Sequence, residues 1–168
     1  SDLHLGSSVS MNSAGDIIVI GAACSNANCN GTVRVFQWDG FTWNQLGPVI
    51  DPFVFSGAQL GFSVCLNSDG NRFVVGALYG DGGGTVFVYE WDGVSWNQKG
   101  QTIFGPSGVW PNYHLDDCIL TDNHLFISDF STNQNDGKVD AYTFDTNTNQ
   151  WVQKGQSLSS GNQYYRFG

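Results

Sequence analysis

At 168 residues the chain can bury a sizeable core, and its 40% apolar and 14% aromatic content supplies the material for one. A formal net charge of −9 with only 6 Lys and Arg excludes a phosphate-binding surface, so nucleic acid and anionic membrane surfaces are disfavoured as partners. No apolar run approaches the ~20 residues a membrane-spanning helix needs. Only 12% of residues are charged, 22 are glycine, and no amphipathic helix is discernible, which is the composition of a turn-rich all-β protein.

Residues 1–5 form a lead-in. A first unit, 6–60, predicts strands at 8–12, 17–22, 32–38 and 42–46, with turns at Ser13-Ala14-Gly15 and Asp39-Gly40. Between its second and third strands, Cys24 and Cys29 enclose a four-residue polar loop. A disulfide there is sterically plausible and suits an oxidising compartment; two solvent-facing thiols are the alternative. No second Cys/His pair sits at zinc-ligand spacing. Asn30-Gly31-Thr32 is the chain's sequon, so Asn30 is a candidate glycosylation site if the source is eukaryotic.

The second unit, 61–113, predicts strands at 61–67, 72–77, 85–91 and 95–99. Alternation puts Val64 and Leu66 on one face and Ser63 and Cys65 on the other. Asp92-Gly93 marks a hairpin. The third unit, 114–168, follows the same plan with more divergence. Asp116-Asp117 stands where Ser8-Val9 and Ser63-Val64 stand, Ser128-Asp129 replaces Gly21-Ala22 and Gly76-Ala77, Phe144 replaces Trp38 and Trp91, and the hairpin becomes a longer turn. Carboxylates on an inner strand could line a channel or bind a cation, or mark a solvated rim. Cys118 reads as the equivalent of Cys65 and Ser10. Equivalent side chains on successive units point the same way, so a Cys65–Cys118 bond is disfavoured and both read as small buried residues.

Recurrence decides the architecture. Residues 6–22 match 61–77, residues 31–47 match 84–100, and 118–128 with 137–155 repeat the plan. Trp43, Trp96 and Trp151 recur at spacings of 53 and 55. Four strands per unit of about fifty residues predict an all-β chain of three tandem antiparallel β-propeller-type blades, part of a larger or oligomeric propeller. Trp38 with Trp43, and Trp91 with Trp96, are expected to meet across a two-residue turn and pin strand register. A sugar-stacking platform is the rival role. Since the first residues already join the repeat, the chain reads as mature or excised rather than a precursor.

Gly61-Phe62-Ser63-Val64, Val75-Gly76-Ala77 and 84–89 (GTVFVY) resemble FG-GAP repeats, the β-propeller family that includes the head of integrin α chains. The resemblance covers all three units, the third loosely, and implies an extracellular adhesion or surface protein. The family's Asp-rich calcium loop is not carried over. The corresponding turns at 12–16, 67–71 and 121–123 are too short and too poor in carboxylate to supply the six to eight oxygens calcium prefers.

The connectors are expected to cross from the outer strand of one unit back to the inner strand of the next, and they carry Phe53, Phe55, Trp110, Tyr113, Tyr164 and Tyr165, either as inter-sheet packing or as a ligand surface. Three blades are too few to close a ring, which takes ~4–8, so further blades of the same protein or further copies are the expected partners, in a ring or a filament. Evidence for catalysis is thin. His114, Asp116 and Cys118 fall in one row of an extended strand, with neighbours about 6.5–7 Å apart, too far for a nucleophile–base contact. His4 lies in the lead-in and His124 follows a turn, Glu90 is the sole Glu, and no glycine-rich phosphate loop precedes a helix. The leading expectation is therefore a non-catalytic, extracellular structural or adhesive module, not an enzyme, without cofactor or metal. A carbohydrate-binding propeller with a glycan ligand is the alternative, and a hydrolase the third.

Overall fold

In the computed structural model the described residues are 4–24, 28–51, 57–79, 84–104, 115, 117–129 and 137–159. They form β1 (Ser8–Met11), β2 (Ile17–Ala22), β3 (Thr32–Trp38), β4 (Trp43–Gln45), β5 (Leu60–Leu66), β6 (Arg72–Ala77), β7 (Thr85–Trp91), β8 (Trp96–Gln98), β9 (Ile103–Phe104), β10 (Asp117–Leu120), β11 (His124–Asp129), β12 (Lys138–Asp145) and β13 (Gln150–Gln153). Each repeat makes one antiparallel sheet in sequence order: β1-β2-β3-β4, β5-β6-β7-β8 and β10-β11-β12-β13. This is the predicted all-β, propeller-type arrangement of three four-stranded blades.

The blades stack face to face. Val19, Val33 and Val35 of the first pack against Val64, Leu66, Phe73 and Phe87 of the second. Val74, Val86 and Val88, from the opposite face of the second, pack against Leu120, Leu125, Ile127 and Trp151 of the third. The middle blade is covered on both sides, which explains why Phe73-Val74-Val75 is an unbroken apolar run rather than an alternation. Burial of Phe73 alone is worth roughly 2–3 kcal/mol.

The Gly-Ala that ends β2 and β6 has a packing cause. A Cβ built on Gly21 would lie 2.2 Å from the Gly61 carbonyl oxygen, and one on Gly76 would lie 2.7 Å from Leu115 Cβ. The next blade's first strand crosses there, and only glycine leaves room. The turns repeat too. Asn12 Oδ1 accepts from the amides of Asp16 and Ile17, and Asn67 Oδ1 accepts from the amide of Arg72, which satisfies two buried asparagines.

Three expectations change. The Trp-flanked hairpins are four-residue loops: Trp38 pairs with Trp43 and Trp91 with Trp96. The Asp39 carboxylate accepts from the amides of Phe41 and Thr42, and Asp92 does the same with Val94 and Ser95. An Asx-type cap thus replaces the tight turn.

The second change is register. In the third blade Leu120 pairs with Leu125 and Cys118 with Ile127, whereas in the second Leu66 pairs with Phe73 and Val64 with Val75. Cys118 is therefore the counterpart of Val64, not of Cys65, and Asp117 is the counterpart of Ser63. The turn between the paired leucine and its partner is two residues shorter, so the sequence alignment slipped by one, and a one-residue slip reverses every side chain. Cys65 points forward and Cys118 back. They form a disulfide with Cα atoms 6.0 Å apart, within the ordinary range.

Third, the connectors do not leave at once for the next blade. Ile50 bridges Val33, Ile103 pairs with Val86, and Leu158 bridges Val139, each seven residues after the blade's last tryptophan.

Candidate functional site: a buried charged cluster between the second and third blades

β11 ends at Asp129 and β12 begins at Lys138, directly opposite it; Asp140 follows two residues on, opposite Ile127. Opposed residues, and residues two apart, share a face of a sheet. Asp129, Lys138 and Asp140 therefore lie on one face, the face that Leu125 and Ile127 pack onto the second blade. Asp129 and Asp140 are 1% and 2% exposed. Lys138 Nζ donates to Asp140 Oδ2 at 2.7 Å, and Gln153 Nε2 to Oδ1 at 3.2 Å. The two aspartates are diagonal neighbours, so their Cα atoms are about 7–8 Å apart.

The same register positions in the second blade are Ala77, Thr85 and Phe87. In the first they are Ala22, Thr32 and Arg34. A side-chain set that is apolar or neutral in the middle blade has become two carboxylates and an ammonium. Removing such groups from water costs several kcal/mol per ion, only partly returned by pairing, so packing alone gives no reason for the change. The cluster sits at the end of the sheet where β11 gives way to β12, the same end as the Cys24–Cys29 disulfide of the first blade.

The residues singled out from sequence are distributed as follows. The Cys24–Cys29 disulfide is formed. Asn30 Oδ1 accepts from the Gly57 amide at 3.2 Å, so its side chain ties the loop before β3 to the segment before β5. Trp38 and Trp43 lie with ring centroids 5.5 Å apart, Trp91 and Trp96 5.2 Å apart, and Phe144 and Trp151 5.1 Å apart. Trp96 and Trp151 are buried between blades, which leaves no open stacking platform there; Trp38 and Trp43 are exposed. Phe53, Phe55, Trp110, Tyr113, Tyr164, Tyr165, His114 and Asp116 lie outside the described residues.

Asp117 is exposed and faces away from the Asp129 cluster. Its amide donates to Ser128 Oγ at 3.0 Å. His124 begins β11, at the opposite end of that strand from Asp129. Cys118, oxidised, is no nucleophile. Among the described residues no group of three or more His, Cys, Asp or Glu is placed to hold a metal ion. Sequence reading noticed Asp129 as a departure from the repeat but missed Lys138 and Asp140. The signal is in the repeat itself: with Gly137 set on Gly84, Lys138 falls on Thr85 and Asp140 on Phe87.

No protein-family model and no curated protein matches the sequence. Solved structures do. A Bacteroides fragilis protein described as a candidate 6-phosphogluconolactonase matches over 90% of this chain and 38% of its own length, with TM-score 0.64 at 14% identity. A protein of the same description from Bacteroides uniformis matches over 90% and 39%, with TM-score 0.63 at 12% identity. The periplasmic gluconolactonase of Pseudomonas aeruginosa matches over 89% and 45%, with TM-score 0.59 at 14% identity. The chain thus spans less than half the length of these structures. At such identity the likeness establishes the fold, and the activities named are those proteins' own.

The likeness nevertheless overturns two expectations. The chain was read as a non-catalytic structural or adhesive module, and as not an enzyme, because no helix-borne loop or contiguous nucleophile–base set was visible. Its blades are instead similar to those of structures named as lactonases. In a stacked-blade fold the functional groups need not be close in sequence, so their absence from any one stretch had no force.

Proposed function

We propose that this chain supplies three blades of a hydrolytic propeller that opens a sugar-derived lactone, with Asp129, Lys138 and Asp140 as its acid–base centre. The observation that supports it is the buried charge at positions where the second blade has Ala77, Thr85 and Phe87. Lactone opening needs a base to take a proton from water as its oxygen attacks the carbonyl carbon. It needs an acid to return a proton to the ring oxygen as the C–O bond breaks. It also profits from a cation beside the carbonyl oxygen that gains charge. One aspartate as carboxylate takes the water proton, the other as carboxylic acid gives its proton to the ring oxygen, and the Lys138 ammonium stands beside the carbonyl oxygen; a positioned acid or base contributes about 10²–10⁴-fold.

The names of the structurally similar proteins agree with this reading. The finer assignment to the FG-GAP type of repeat rests on the motifs quoted above. Two disulfides fit a secreted or envelope protein, since such bonds persist in oxidising compartments. The carbohydrate-binding alternative rested on connector aromatics outside the described residues and is not advanced.

The test is hydrolysis of glucono-1,5-lactone and 6-phosphogluconolactone by the intact chain, followed by proton release. The comparison variant is Asp129→Ala/Lys138→Thr/Asp140→Phe, which installs the second blade's own residues. The expected result is turnover above the spontaneous rate in the native chain, reduced at least about 100-fold in a variant that melts no lower. A folded native chain that hydrolyses neither lactone, or a triple variant as active as the native chain, ends the proposal.

A further inference from the structure

Successive blades are locked by one repeated device. Trp96 Nε1 of the second blade donates to the Leu46 carbonyl of the first at 2.9 Å. Trp151 Nε1 of the third donates to the Lys99 carbonyl of the second, also at 2.9 Å. The indole lies over the glycine that follows the accepting residue. A Cβ on Gly47 would fall 3.1 Å from Trp96 Cδ1, and one on Gly100 would fall 2.9 Å from Trp151 Cδ1. Gln101 completes the socket: its Nε2 donates to the Trp151 carbonyl and its Oε1 accepts from the Trp151 amide, both at 2.8 Å.

Among the described residues, both halves of this device recur unused, one on the third blade and one on the first. Lys154-Gly155-Gln156 repeats Lys99-Gly100-Gln101 residue for residue. Its backbone is set in the same register, since the Lys154 amide donates to the Ala141 carbonyl as the Lys99 amide donates to that of Val88. Yet among the described residues a Cβ on Gly155 would meet nothing within 4 Å. At the other end Trp43, the counterpart of Trp96 and Trp151, is 41% exposed against their 7% and 2%. The surfaces beside them are apolar and open. Val9 and Met11 on the first blade occupy the places of the buried Val64 and Leu66. Ile119, Phe126 and Val152 are exposed on the outer face of the third.

We propose that a second copy of this chain completes the ring. Trp43 of each copy seats on Gly155 of the other, its indole N–H donating to the Lys154 carbonyl and its backbone clamped by Gln156. The first blade's Val9–Met11 face covers the third blade's Ile119–Phe126 face. The contact continues the two inter-blade interfaces already present, with the same chemistry at the same register. A two-fold axis uses it twice and leaves no blade unpaired, giving six blades, within the ~4–8 that close a propeller.

The test is the solution mass of the intact chain by sedimentation and light scattering at micromolar concentration. The expected result is a species of twice 18.3 kDa that does not grow with concentration. Trp43→Ala and Gly155→Leu should each shift it to a folded monomer at least tenfold more readily, and Gln156→Ala should speed exchange of the Trp43 amide. A monomeric native chain overturns the proposal and leaves a fourth covalent blade as the cover. Assemblies that grow with concentration also overturn it, because head-to-tail contacts that fail to close make filaments. So does a dimer indifferent to both Trp43→Ala and Gly155→Leu.

Discussion

Cys65 and Cys118 are joined across the inner strands of neighbouring blades, 53 residues apart in the chain and 6.0 Å apart at Cα. The bond closes almost one full repeat, so it restricts the unfolded chain far more than the short Cys24–Cys29 loop does. In the chain-entropy picture the larger loop is worth about 4 kcal/mol and the smaller about 2. Cys65→Ala/Cys118→Ala is expected to lose up to about 4 kcal/mol in urea unfolding, and Cys24→Ala/Cys29→Ala no more than about half of that.

The buried ion pair predicts an asymmetry between single and matched substitutions. Asp140→Ala removes the carboxylate that accepts from Lys138 at 2.7 Å and from Gln153 at 3.2 Å, where the Lys138 side chain is 19% exposed. Breaking a buried pair from one side costs about 3–5 kcal/mol. Replacing the cluster by the second blade's Ala, Thr and Phe is expected to be neutral or stabilising, because Phe87 already fits the equivalent place. Thermal melting of the two variants side by side separates these outcomes.

Acid should unfold the protein from the carboxylate side. Burial works to raise the Glu90 pKa, but hydrogen bonds from Lys99 (3.0 Å) and Arg72 (2.6 Å), with their charges, outweigh it and hold Glu90 below its ordinary value. Asp39, Asp92 and Asp145 are held low chiefly by backbone amides, led by those of Thr42, Ser95 and Asn147. A depressed carboxylate pKa means the unfolded chain takes up the proton first. The stabilisation is therefore complete above the unfolded carboxylate range of about pH 4–4.5 and disappears as pH falls through the lower folded values. The denaturation midpoint should be flat near pH 6 and fall steeply toward pH 3, with a shallower fall in Glu90→Gln.

Gly76 tests blade spacing without a backbone penalty, since it has no left-handed φ. Gly76→Ala drives a methyl to 2.7 Å from Leu115 Cβ. Overpacking of this kind costs about 1–3 kcal/mol. Gly93→Ala, at the β7–β8 hairpin tip with no described atom within 4 Å, carries only the strain of its φ of +100°. Equal losses at both sites, measured by urea unfolding, would contradict the close blade contact at Leu115.

Strand positions, the number of blades and the sheet order were legible in the sequence. They follow from local signals: β-branched and aromatic runs, glycine turns, and a unit repeated at a spacing of about 55. The runs at 17–22, 32–38, 72–77 and 85–91 coincide with β2, β3, β6 and β7 to the residue. What only the tertiary structure decided is which side chains meet. In stacked blades a residue's neighbours lie some fifty positions away, and one residue of slip turns every side chain to the other face. That slip hid the Cys65–Cys118 bond behind an apparent equivalence. Likewise Asp129, Lys138 and Asp140 look like scattered surface charges along the chain; the stacking of the third blade on the second is what buries them together.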